Sequence, residues 1–178
     1  MQVSFFSGGI TQVIPTKEAS IFGILEAIQK GFWKEKIETL RNCKDEEKQE
    51  ALKKALPYFT CSGVFTKRED KSLVKYSGLI QIDFDNLQNP KGCLHELRKD
   101  PFIFSSFLSP RSTGAKIIVK VENDPSRHLI SFWSLFGYFL GKYTLKADPK
   151  TSPPSMPFFV SYDPDLYLNT ESKIWTMK

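Results

Sequence analysis

A chain of 178 residues, 40% hydrophobic and 25% charged, has the size and composition of a globular domain with a sizeable core. Its formal net charge of +5 favours an anionic partner, although a solvated basic surface would give the same balance. Cys43, Cys61 and Cys93 have no C-x-x-C spacing, and His95 and His128 stand far apart, which argues against a zinc site. The isolated thiols suit a reducing compartment. No apolar run approaches the ~18 residues of a membrane span, and no basic-then-apolar leader opens the chain. The expectation is a cytoplasmic protein without a membrane partner.

Residues 2–7 predict a strand closed by Gly8-Gly9. Ile21, Ile24, Leu25 and Ile28 recur at helical spacing, so a helix is expected over 17–31, with Gly31 as its stop. Residues 34–56 are highly charged with a narrow apolar stripe of Ile37, Leu40, Leu52 and Leu56; two short helices joined near Asn42-Cys43 and ending before Pro57 fit best. A strand over 58–66 leads through polar Lys67–Ser72 to the run Gly78-Leu79-Ile80-Gln81-Ile82-Asp83-Phe84-Asp85, a buried strand that ends in two acids. Pro90 opens a helix reaching Lys99, with Leu94 and Leu97 on its apolar side. Strands are expected at 102–108 and 117–121. Leu129, Phe132, Trp133, Phe136, Phe139 and Leu140 mark a helix over 126–140. A Pro-rich loop at 149–157 and strands at 158–162 and 173–177 complete the chain. Several strands are adjacent in sequence, which predicts an α+β fold with a mixed, largely antiparallel sheet flanked by helices. One domain over 1–178 is expected, with a helical portion at 1–56 and a core at 57–178.

Three features could carry chemistry. Alternate side chains of a strand share a face, so Asp83 and Asp85 point the same way with Cα atoms roughly 6.5–7 Å apart. Such paired carboxylates suit Mg²⁺ or Mn²⁺, hard ions that prefer oxygen ligands, although many such pairs are solvated strand ends. The loop Ser109-Pro110-Arg111-Ser112-Thr113-Gly114-Ala115-Lys116 offers small side chains and backbone amides for an anion nest, with Arg111 and Lys116 as cations. An ordinary exposed turn would look the same, and the spacing is not that of a P-loop. Asp148, after the long helix, could bring a third carboxylate; a helix exit would also place an acid there. Asp163 and Asp165, beside Pro164, read as turn chemistry.

Four segments in order carry a resemblance: Leu56–Phe65, Tyr76–Asp85, Ser109–Lys116 and Phe159–Tyr167. Together they resemble the VirE N-terminal domain family, which is similar to a branch of the archaeo-eukaryotic primase superfamily found in bacteria, mobile elements and phages. The resemblance implies a primase-polymerase-like fold with an RRM-like core. It also implies that Asp83, Asp85 and Asp148 are the metal-binding, catalytic acids, and that Ser109, Arg111, Ser112, Gly114 and Lys116 bind nucleotide phosphate. Many relatives end the second motif in histidine, where this chain has Lys116. Relatives also carry an arginine before the Phe159 segment, where this chain has Ser155-Met156-Pro157.

The implied function is a DNA primase or nucleotidyltransferase in mobile-element or phage replication, its activity weak or lost. The implied partners are a nucleoside triphosphate, single-stranded DNA or a template-primer, and a helicase-like replication protein. The alternatives are a catalytically decayed nucleic-acid-binding module and a protein-interaction domain.

Overall fold

The computed structural model describes residues 1–176. It is an α+β structure with five α-helices and mostly antiparallel sheets. The first sheet has the order β2-β1-β3-β9, formed by β1 (Gln2–Phe6), β2 (Lys17–Ser20), β3 (Tyr58–Thr60) and β9 (Phe158–Phe159). The second has the order β10-β7-β8-β6, formed by β6 (Leu79–Phe84), β7 (Ile103–Leu108), β8 (Ala115–Lys120) and β10 (Tyr167–Leu168). A small hairpin of β4 (Gly63–Phe65) and β5 (Leu73–Tyr76) links them along the chain.

Strand alternation divides β6 between two cores. Leu79 joins Phe104, Phe107 and Ile118 in a cluster shared with the first sheet, with α1 (Ile21–Lys30) and with α2 (Lys34–Asn42). Ile80, Ile82 and Phe84 face the other way, against α4 (Pro90–Leu97) and α5 (His128–Tyr143). The second sheet is thus buried on both faces, and Asp83 lies on the face turned toward the first sheet.

Several elements differ from expectation. Residues 17–20 are a strand, because they pair with the exposed edge of β1 in the register Gln2↔Ser20; the helix begins only at Ile21. The expected strand at 58–66 breaks at Cys61-Ser62, since β3 pairs with β1 while β4 pairs with β5. The charged stretch does form two helices, α2 and α3 (Glu46–Lys54). The long helix starts at His128 after a 3₁₀ turn at Pro125–Arg127 and runs on to Tyr143. It buries Phe132, Leu135 and Phe139 but leaves Leu129, Trp133 and Leu140 exposed. The strand expected at 158–162 shortens to β9, and β10 was not expected. Of the closing strand at 173–177, Trp175 makes a single parallel bridge to Val121; Met177 lies outside the described residues.

Candidate functional site

β6 and β8 run antiparallel in a register that sets Lys116 opposite Asp83. The Lys116 ammonium donates to Asp83 Oδ2 at 2.6 Å and lies 4.1 Å from the ring centroid of Phe158. Asp85 follows β6 directly and is exposed. Asp148 reaches the same place through the main chain, its N–H donating to the Asp83 carbonyl at 2.9 Å. Its carboxylate accepts from Lys150 N–H at 3.0 Å and caps the 3₁₀ turn Pro149–Thr151. Asp83, Asp85 and Asp148 line one cleft of about 260 Å³, together with Ser109, Arg111, Lys116 and Lys53 of α3.

The electrostatics of the cleft are unbalanced. Asp83 Oδ1 is buried and has no hydrogen-bond partner among the described residues. Burial pushes the Asp83 carboxyl above the usual carboxylate range, and Lys116 pulls it back down. Burial, with Lys116 and Arg111 nearby, holds the Lys53 ammonium below its ordinary value. Cys61, fully buried, has its thiol pushed up by burial and by the nearby Asp83.

Part of the backbone of the Ser109–Lys116 loop is spent within its own turn. Ser112 N–H donates to the Ser109 carbonyl at 2.9 Å and Gly114 N–H to Ser109 Oγ at 3.1 Å, so both amides are used within the turn. Ser112, at φ 60°, faces a neighbouring cavity lined by Arg41 and Asp163 instead of the acid cleft. Gly114 does not line the acid cleft either. A Cβ at that position would collide with the Phe84 carbonyl, so glycine there lets β8 begin close against β6. Arg111 is tied to Glu50 of α3 at 2.6 Å. Arg41 pins the loop from behind by donating to the Pro110 carbonyl at 3.0 Å and the Tyr162 carbonyl at 2.9 Å. Asp163 is structural, as its turn chemistry suggested: buried, it accepts from Leu108 N–H at 2.8 Å and Asp165 N–H at 3.0 Å.

Among the described residues, no group of three or more His, Cys, Asp or Glu side chains is clustered tightly enough to hold one metal ion. The three carboxylates share a cleft without forming a closed cage. An all-oxygen donor set with one orphaned, buried carboxylate oxygen nevertheless suits a hard divalent ion. Lys53 escaped sequence reasoning because it lies in a uniformly charged helix, and nothing in that pattern separates it from Lys48 or Lys54.

One family model, described as the BT4734-like, N-terminal domain, matches residues 51–168, about two thirds of the chain. This match replaces the expected membership of the VirE N-terminal domain family, and nothing in it supports a primase-polymerase relationship. No curated protein and no solved structure matches the chain. The matched span begins within α3, ends with β10 and contains Lys53, Asp83, Asp85, Arg111, Lys116 and Asp148. The chain belongs to the BT4734-like N-terminal domain family.

Proposed function

We propose that the cleft binds the phosphates of a nucleotide or nucleic acid through a divalent ion on which the carboxylates of Asp83, Asp85 and Asp148 close as it binds, and that it serves nucleotidyl transfer. The observation that carries this reading is the arrival of three carboxylates in one cleft, two from the end of β6 and one from the segment after α5, beside Lys53 and Lys116. Mg²⁺ or Mn²⁺ bound there would neutralise phosphate charge and polarise a phosphoryl oxygen. Lys116 offsets part of the burial cost of the Asp83 carboxylate and fixes its position, leaving Oδ1 free to act as a ligand. Arg111 and Arg41 fix the loop that forms one wall. The basic surplus of the chain, +5, would draw in a nucleic-acid strand. Free Cys43, Cys61 and Cys93 fit a reducing, cytoplasmic setting; no helix among the described residues is long and apolar enough to cross a membrane.

Calorimetric titration with Mn²⁺ tests the reading. The wild-type chain should bind the ion, and the double variant Asp85→Asn/Asp148→Asn should bind at least about tenfold more weakly. Equal binding by both would sink the assignment. A second reading, a non-catalytic nucleic-acid-binding module, is favoured by the engagement of Asp83 with Lys116 and the absence of a closed ligand cage among the described residues. Incorporation of labelled nucleotide on a primed single strand separates the two. Salt-sensitive strand binding without incorporation in either metal selects the module.

A further inference from the structure

We infer that Lys53, delivered into the cleft by α3, is the anchor for the phosphate chain of a nucleoside triphosphate. This rests on the reading of the cleft as a nucleotide-phosphate site and adds the group that holds the chain and the class of substrate. Two of the three cations lining the cleft are already committed: Lys116 to Asp83 at 2.6 Å and Arg111 to Glu50 at 2.6 Å. The Lys53 ammonium makes no ion pair and no hydrogen bond among the described residues, although it is half-buried. It lies over the Phe159 ring, 5.9 Å from the centroid. Glu50 and Asp85 act on it only at longer range and Lys116 and Arg111 oppose them, so this partly desolvated cation, with no anion in contact, is an unmet demand for one.

The seating of α3 sets where the Lys53 side chain enters the cleft. Glu50, one helical turn before Lys53, is clamped by Arg111 across the cleft wall. The C-terminal end of α3 is seated on the turn after β1, where Ile10 N–H donates to the Lys54 carbonyl at 2.7 Å. Gly9 permits this approach: its φ is 77°, and an added Cβ would lie 2.6 Å from the Lys54 carbonyl oxygen. The helix is therefore fixed at both its middle and its end, so the backbone of Lys53 is placed beside the cleft before any ligand arrives. The Ser112 and Gly114 amides are used inside their own turn, which leaves a larger share of anion recognition to side chains.

The chemistry points to a phosphate chain. Carboxylates repel phosphate and accept it only through a bridging cation, while an ammonium meets it directly as a point charge. A ligand that engages both Asp83 with its neighbours and Lys53 must carry negative charge along its length, as a triphosphate does. A cavity of about 260 Å³ is small for an enclosed nucleotide, so the base lies outside and contributes little.

The test uses inorganic triphosphate as the probe, titrated calorimetrically into the full chain with Mn²⁺ present, alongside Mn²⁺ alone. Lys53→Met keeps the apolar stem and removes the charge; it should weaken triphosphate binding at least about tenfold. Lys53→Arg should stay within about threefold of wild type. Affinity for Mn²⁺ alone should be undiminished in both, and adenosine and uridine triphosphates should bind alike. Wild-type affinity for triphosphate in Lys53→Met overturns the inference while leaving the metal reading intact. Loss of triphosphate binding in that variant, with no Mn²⁺ binding even by the wild type, upholds Lys53 and removes the metal. If Lys53→Met fails to fold, acetylation of the wild-type chain reads the same contact. Triphosphate should protect Lys53 from acetic anhydride, and unprotected modification overturns the inference.

Discussion

Asp83 and Asp100 are both carboxylates taken from water and paired with a lysine, yet their surroundings are opposite. Asp100 is fully buried and every oxygen is used. Its Oδ1 accepts from Phe102 N–H at 2.9 Å, and its Oδ2 from Tyr138 at 2.6 Å, Tyr143 at 2.7 Å and Lys142 at 2.9 Å. Burial alone would raise this carboxyl, but the donated hydrogen bonds hold it below the usual range. Asp83 keeps 18% of its side chain exposed, has one engaged oxygen and one orphaned one, and is pushed above the usual range. The lysines are reversed too: Lys142 remains 45% exposed, whereas Lys116 is buried at 5%. A buried charge whose lone pairs are all satisfied ties a structure together, here joining the end of α5 to the turn before β7. One left half-satisfied retains capacity for a ligand.

The largest expected effect falls on the satisfied carboxylate. Asp100→Ala strands two tyrosine hydroxyls and an ammonium and should destabilise the fold by about 3–5 kcal/mol in urea unfolding. A loss under about 1 kcal/mol would break the comparison.

His128 lies between the two cases, satisfied only while neutral. Its Nδ1 accepts from the Tyr76 hydroxyl at 2.8 Å and its Nε2–H donates to the Ser152 carbonyl at 3.0 Å, on the loop that follows Asp148. Burial pushes the imidazole down to about 4 from its ordinary 6.5. The unfolded chain therefore takes up the proton first. This contribution is complete above pH 6.5 and declines as the pH falls toward 4, by about 3 kcal/mol in total. Stability measured across that window should rise with pH, and His128→Gln should flatten the slope.

The acid cleft should cost little to dismantle. Asp83→Asn/Lys116→Met removes both charges together, so stability should change by less than about 1 kcal/mol in either direction, while Mn²⁺ binding is lost. A large loss of stability would make this pair a second structural tie like Asp100. The smallest stability effect belongs to exposed Asp85: Asp85→Asn should leave unfolding within about 0.5 kcal/mol of wild type and still weaken Mn²⁺ binding.

Of the residues singled out in sequence, Asp83, Asp85, Ser109, Arg111, Lys116 and Asp148 line one cleft while Ser112 and Gly114 do not, and the family the motifs suggested was not the one that matches. Shared residue types over short stretches report local chemistry; membership rests on a pattern spread across residues 51–168.

Local periodicity was enough to locate α1, α5 and the alternating faces of β6, because Ile21, Ile24, Leu25 and Ile28, or Ile80, Ile82 and Phe84, carry their period within a few residues. Tertiary structure alone decided the rest. Residues 17–20 became a strand because the edge of β1 needed a hydrogen-bonding partner. Asp148 came beside Asp83 through a main-chain hydrogen bond spanning 65 positions. The Ser112 and Gly114 amides were lost to a ligand because their own turn used them, and Lys53 was singled out from a charged helix only by where Glu50 and Gly9 allow α3 to rest. These outcomes depend on which distant groups compete for each donor, acceptor and charge, and that competition exists only once the chain has closed on itself.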